Sequence, residues 1–128
     1  QPEIYGTATA ADLDRSITAY ATSRNVALEI VYTQVEGEAI ASLYKAANEG
    51  VKGVLMNPGG FLHAGFALRD CLRGLGIPCV EIHMTNIEKR GMKSVTIEAA
   101  QSTVTGFGMR GYQLGLDALL DHLDKAAS

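Results

Sequence analysis

Apolar residues recur along the chain in two patterns, which predict helices and strands. Leu13, Ile17 and Tyr20 stand four and three residues apart, so we expect a helix from about 10 to 24. The segment that follows, Ala27–Thr33, is rich in apolar and β-branched side chains. Such a run indicates a strand.

The rest of the chain continues this alternation. The predicted elements are a helix that stops at Gly50, a strand from Gly53 to Asn57, a helix that ends near Gly74 and Gly76, a strand from Cys79 to His83, a loop over 84–97 that contains a short strand at Ser94–Ile97, and a last helix over about 102–124. Strands that alternate with helices of this length indicate a parallel sheet with helices on both faces. We therefore expect a three-layer α/β/α fold.

Four glycines stand at the beginning of the last predicted helix: Gly106, Gly108, Gly111 and Gly115. Glycine lowers helix propensity, but it lets a helix backbone approach its neighbour closely. We interpret these positions as tight packing against the sheet rather than as contacts with another subunit.

Length and composition favour a single globular domain, spanning residues 1–128, with 47% hydrophobic and 20% charged side chains. The net charge of −3, without a Lys/Arg cluster, argues against nucleic acid as a partner. No apolar run reaches the length of a membrane span. Cys71 and Cys79 stand among apolar neighbours, which favours buried free thiols in a reducing cytoplasm over a disulfide.

Polar side chains follow three of the predicted strands, at the sheet edge where parallel sheets bind ligands. These strand ends are Gln34–Gly37, Asn57–Gly60 together with His63, and His83–Asn86. Two histidines, an asparagine and a threonine are therefore expected to converge. Taken alone, the Asn-Pro-Gly-Gly sequence is better explained as a structural strand-to-helix turn.

His83 is the main candidate for acid–base chemistry, because Glu81 stands two residues before it on the same strand face. A carboxylate there orients the imidazole and favours its protonated form, which suits a general acid. The alternative is a strand-end histidine that only bonds to backbone. His63 falls in the first turn of a helix, where N–H groups can face an anion. The histidines do not form a metal-ligand pattern, so we expect no metal.

Several motifs, in the same order along the chain, resemble type II 3-dehydroquinate dehydratases. They are Pro2–Gly6, Glu36–Glu38, Asn57–Gly60 through His63, Ala67–Asp70, Pro78–Glu81 with His83 and Asn86, and Gly106, Gly108, Gly111 and Tyr112. The resemblance implies a flavodoxin-like domain and trimers that assemble into a dodecamer. It also implies dehydration of 3-dehydroquinate to 3-dehydroshikimate by anti elimination through an enolate, without a cofactor.

The resemblance assigns roles to individual residues. Tyr5 matches the general base, His83 the general acid, and Glu81 the residue that orients the acid. Asn57 matches a third catalytic position, which helps hold the water and the enolate. Met84 and Thr85 match the pair that binds the substrate carboxylate, and Asp70 matches an acidic residue that reaches in from a neighbouring subunit. The other positions that match substrate contacts are Gly59, Gly60, His63 and Arg90.

The chain departs from the family pattern in several places. The family's lid arginine, the cation that would favour a phenolate base, would stand directly before Gln1. Val35 replaces a histidine, and Gln34 replaces an asparagine. The loop at Glu88–Lys93 is shorter and differs in sequence, so a second substrate arginine has only Lys93 as its counterpart. Lysine lacks the planar fork of arginine.

Three functions are compatible with these residues. The first is a working cytoplasmic dehydratase of the shikimate route to aromatic amino acids or of quinate catabolism. The second is a divergent relative that binds or transforms another small polyhydroxy carboxylate, which Val35 and the altered loop favour. The third is an unrelated flavodoxin-like binding module. We expect the first.

The first strand of the family lies in the middle of its sheet and has no counterpart in residues 1–128. A sheet without it leaves unpaired N–H and C=O groups, at about 1–3 kcal/mol for each buried group. We therefore expect a separate segment, either a retained cleaved peptide or residues outside this numbering, to fill a slot between the strands at Ala27 and Gly53. Direct pairing of those strands would refute this expectation.

Overall fold

Three parallel strands form a sheet in the part of the chain that the computed structural model describes, which is residues 10–59, 65–87, 89 and 91–127. The strands are β1, Val54–Met56; β2, Cys79–His83; and β3, Ser102–Thr105. Their order is β1-β2-β3, and every residue of the central strand β2 is buried. Met56 lies beside Glu81 in the register, so the carboxyl ends of β1 and β2 lie at the same edge.

Helices connect and cover these strands. They are α1, Ala10–Ser23; α2, Glu36–Asn48; α3, Phe66–Leu75; a 3₁₀ helix, Thr96–Ala99; and α4, Arg110–Ala127. The helix α3 ends at Gly76, which has a positive φ of 67° and so occupies the left-handed conformation typical of a helix C-terminus. The boundaries of α1, α2, α3, β1 and β2 agree closely with the sequence predictions.

Each face of the sheet has its own apolar core. On one face Leu116 of α4 packs with Ile17 of α1, and Leu55 of β1 contacts this cluster. On the other face Leu68 and Leu72 of α3 pack against Cys79 of β2. Helices therefore lie on both faces, and the predicted α/β/α layering is confirmed.

The helix α4 approaches the sheet through glycine. A Cβ atom added at Gly115 would lie 2.7 Å from Ile82 Cδ1 and 2.8 Å from Leu55 Cδ1. At Gly111 it would lie 3.3 Å from Ile82 Cγ2. For these two glycines, packing against the sheet is confirmed.

We expect Gly115→Ala to lower the free energy of unfolding by about 1–3 kcal/mol, because the added methyl group overpacks the contact with Ile82 and Leu55. Gly74→Ala is the matched control. Its Cβ atom would have nothing within 4 Å, so the better helix propensity of alanine should stabilise α3 by about 0.5–1 kcal/mol. Urea denaturation of both variants measures the difference. Equal shifts in the two variants would show that the close approach at Gly115 has no energetic consequence.

The predicted strand Ala27–Thr33 is wrong for the described chain. These residues have no regular secondary structure, and Ile30, Val31 and Tyr32 are 41%, 53% and 63% exposed. A strand is stable only when its backbone groups pair with a neighbour. β1 is the nearest candidate, but its pairing in the described residues is with β2 alone.

The predictions between residues 94 and 110 also need correction. The expected short strand at Ser94–Ile97 is replaced by the 3₁₀ helix, and the third strand is β3, which the sequence placed inside the last helix. That helix begins only at Arg110. Gly106 and Gly108 have φ angles of 88° and 58°, so they form the turn between β3 and α4 rather than a helical turn.

A cavity of about 840 Å³ lies next to residues 26–33 and β1. Its lining is largely apolar and includes Leu28, Val54, Leu116 and Leu120. Direct pairing of the two segments, the outcome that would refute the expected slot, is not observed among the described residues. The occupant of the slot stays a prediction.

Cys71 and Cys79 are free and buried, as the sequence predicted. Burial, with a further contribution from the charge of Glu81, raises the pKa of the Cys79 thiol to about 12. A thiol with that pKa is unreactive near neutral pH, so Cys79 is a core residue.

Candidate active site

β2 ends in a buried pair of a histidine and a carboxylate. His83 Nε2 lies 2.5 Å from Glu81 Oε2, and the two residues are 4% and 0% exposed. Because side chains alternate along a strand, residues two apart share a face, as the sequence predicted for this pair. That face is the one covered by α3 and the 3₁₀ helix, since Cys79 on the same face packs against α3.

Two hydroxyl groups complete the surroundings of Glu81. Thr96 donates a hydrogen bond to Glu81 Oε1, and Ser94 Oγ lies 3.2 Å from Thr96 Oγ1. Burial by itself raises the pKa of Glu81, but hydrogen bonds with His83, Ser94 and Thr96 outweigh burial and place that pKa below its ordinary value. Glu81 is therefore a carboxylate at neutral pH. A carboxylate only accepts hydrogen bonds, so His83 Nε2 carries the hydrogen, and Nδ1 is the ring nitrogen that Glu81 leaves for proton transfer.

Asn57 follows β1 at the same edge of the sheet. Its Nδ2 donates to Tyr112 Oη at 2.9 Å, and its Oδ1 accepts from the backbone N–H of Gly59 at 3.1 Å. The second bond closes a tight turn over Pro58, directly after β1, and the first holds the amide against α4. Asn57 and His83 thus reach one edge from opposite faces of the sheet.

The loop after β2 is fixed by the turn that precedes α4. His83 O accepts from Gly106 N at 3.1 Å, and Met84 O accepts from Gly108 N at 2.8 Å. These bonds use the positive φ angles of the two glycines. Met84 and Thr85, which the resemblance matches to a carboxylate-binding pair, are half-buried next to His83.

Asp70 and Lys93 make their contacts with residues other than His83. The Asp70 side chain is 65% exposed on α3 and accepts from Arg69 Nε at 3.2 Å. Lys93, with Gly91 and Ser94, lines a separate cavity of about 520 Å³ beside the shortened loop.

Four of the predicted site residues, Tyr5, Gly60, His63 and Arg90, lie outside the described residues. The predicted cleft shared by Tyr5, His83, Asn57 and His63 therefore stays a prediction. The contacts of Ser94 and Thr96 with Glu81 were missed by sequence reasoning, because nothing in the spacing of the chain places the 3₁₀ helix against β2. Within the described ranges, no three His, Cys, Asp or Glu side chains are grouped so as to hold a metal ion. None of the described helices is both long and apolar enough to cross a membrane.

Comparison with known proteins shows the family of this chain. Residues 1–120 match the family model described as dehydroquinase class II. The chain is 38% identical over 128 residues to a 3-dehydroquinate dehydratase from Teredinibacter turnerae, covering 98% of this chain and 83% of that protein. It is 37% identical to one from Carboxydothermus hydrogenoformans, covering 98% of this chain and 82% of the relative.

A solved structure shows the same fold. The type II dehydroquinase from Butyrivibrio crossotus superposes with a TM-score of 0.88 at 30% identity, covering 94% of this chain and 86% of the other. The sheet with helices on both faces is therefore the flavodoxin-like α/β fold that the sequence predicted. With the family model matching residues 1–120 and the buried His83–Glu81 pair in place, this chain belongs to the class II dehydroquinase family.

Proposed function

We propose that this protein is a 3-dehydroquinate dehydratase, a hydro-lyase that forms 3-dehydroshikimate. The observation that carries the proposal is the buried pair of His83 and Glu81 at the carboxyl end of β2. Loss of a hydroxyl group as water needs a proton donor, and histidine is the side chain used most often. The relatives with 37–38% identity bear this enzyme name, which favours 3-dehydroquinate over another polyhydroxy carboxylate.

The reaction is an anti elimination that needs no cofactor, because the ketone of the substrate delocalises the negative charge as an enolate. Tyr5 is the base that removes the proton next to the ketone, and Asn57 helps to hold the enolate and the water. His83 protonates the leaving hydroxyl group through Nδ1. Glu81 keeps Nε2 throughout, so that the ring does not rotate during the transfer.

The substrate is bound by the turn at Gly59 and Gly60, by His63 and Arg90, and by Met84 and Thr85 at its carboxylate. Asp70 contributes from a neighbouring subunit, which its 65% exposed side chain on α3 permits. We propose accordingly that residues 1–128 form one domain and that the protein forms trimers, which assemble into a dodecamer. Its two free thiols suit a cytoplasmic enzyme of the shikimate or quinate route.

Purified full-length protein incubated with 3-dehydroquinate tests the proposal. We expect 3-dehydroshikimate to form, which its conjugated enone makes visible by ultraviolet absorbance, and we expect no conversion of quinate or shikimate. Substrate deuterated on one face of the carbon next to the ketone tests the stereochemistry, because anti elimination removes only the hydrogen opposite the leaving hydroxyl. Absence of product would refute the proposed activity. Loss of the deuterium on the same face as the leaving hydroxyl would refute the anti course, but 3-dehydroquinate would still be the substrate.

A further inference from the structure

The carboxylate that holds His83 is itself held by a hydroxyl group from another element. Thr96, the first residue of the 3₁₀ helix, is 0% exposed and donates to Glu81 Oε1, while His83 occupies Oε2. Each carboxylate oxygen thus has a hydrogen-bond partner, and the plane of the carboxylate is fixed at both ends. Rotation of Glu81 would have to break a hydrogen bond in a place that water does not reach.

Ser94 is a second hydroxyl group beside Glu81. It is 8% exposed, and its Oγ lies 3.2 Å from Thr96 Oγ1. Glu81 accepts the hydroxyl proton of Thr96, and a hydrogen bond with Ser94 also favours the charged form of Glu81 and so lowers its pKa. Among the described residues, Cys79 is a further titratable group near Glu81, and its thiol is uncharged near neutral pH because its pKa is raised to about 12.

We propose that Thr96, supported by Ser94, is a positioning residue that holds Glu81 so that His83 presents Nδ1 for proton transfer. The inference rests on the proposed function for its activity readout. Thr96 is fully buried and acts through Glu81, so the 3₁₀ helix takes part in orienting the acid.

The main test compares Thr96→Val, which has the same shape without the hydroxyl, with Thr96→Ser, which keeps it. A hydrogen bond to a charged group is lost in the first variant, so we expect kcat for 3-dehydroquinate to fall about ten- to a hundred-fold with KM nearly unchanged. Thr96→Ser should restore most of kcat. Thr22→Val is the control, because its hydroxyl donates to the backbone oxygen of Thr18 on the exposed surface of α1.

A second readout does not depend on catalysis. The ¹⁵N chemical shifts of the His83 ring report which nitrogen carries the hydrogen. In the neutral ring we expect wild type and Thr96→Ser to show Nε2–H alone, and Thr96→Val to show a mixture of tautomers. Inactive wild-type protein would refute the proposed function, whereas the tautomers would still decide the role of Thr96.

The proposal is overturned if folded Thr96→Val keeps both the wild-type kcat and a single tautomer. Should Thr96→Val fail to fold, Ser94→Ala replaces it, since it removes the second hydroxyl beside Glu81 and leaves that of Thr96 in place. We expect that variant to lower kcat about two- to ten-fold, less than Thr96→Val, because the hydrogen bond from Thr96 to Glu81 remains. Unchanged kcat and tautomer in Ser94→Ala would then overturn the proposal.

Discussion

His83→Ala is expected to lower kcat for 3-dehydroquinate by about 10²–10⁴-fold and to change KM much less. A general acid acts when the leaving hydroxyl departs, so its removal destabilises the transition state rather than the bound substrate. The 4% exposure of His83 and its bond to Glu81 fix the ring at the end of β2, which makes replacement by bulk water inefficient. Steady-state kinetics with a binding measurement on the inactive variant separate the two effects.

His122→Ala is the matched control for this experiment. Its Nε2 lies 2.9 Å from Ser102 Oγ, at the amino end of β3 and therefore away from the strand ends that carry the candidate site. We expect its kcat to stay close to that of wild type. If His83→Ala weakens binding as much as it slows turnover, His83 binds substrate and is not the acid.

We expect the backbone amides of residues 27–33 to be protected from hydrogen exchange by at least about 10³-fold in the purified full-length protein, an opening free energy of about 4 kcal/mol. We expect this protection because the cavity of about 840 Å³ beside these residues has room for an extended segment that would pair with them. An extended segment placed there would pair with residues 27–33 on one side and, on the other, with the edge of β1 that has no strand partner among the described residues. It would also cover Ile30 and Val31, which the described chain leaves exposed.

The amides of Val80 and Ile82 provide the internal reference, because β2 is paired on both sides. Residues 27–33 exchanging at unprotected rates, while Val80 and Ile82 stay protected, would show that the slot is empty. Intact mass under denaturing and native conditions then identifies the occupant. A segment that is part of the chain remains in both spectra, and a retained peptide is lost on denaturation.

Local sequence determined much of this fold. Helical spacing of apolar residues predicted α1, α2 and α3, and the predicted strand Cys79–His83 agrees with β2 residue for residue. These elements were predictable because their apolar positions, which pack against the two cores, are a pattern of neighbouring residues. For the same reason the shared face of Glu81 and His83 followed from their separation along the strand.

The elements that sequence reasoning missed are those whose stability comes from a partner. Ala27–Thr33 has strand composition but no paired neighbour among the described residues, and it stays irregular. β3 has the polar composition Ser-Thr-Val-Thr, and it is a strand because its backbone pairs with β2. Strand formation depends on hydrogen bonds between distant segments, which local periodicity does not record.

The sequence by itself determined the helices, the buried strand β2, and the presence of an acid–base pair on one strand face. The tertiary structure decided what surrounds that pair. It placed Thr96 on the carboxylate of Glu81, Tyr112 on Asn57, and the turn at Gly106–Gly108 on the loop after His83. Such contacts join residues far apart in the chain, and they are fixed by how the helices pack on the sheet, since local propensity carries no information about which distant groups will meet.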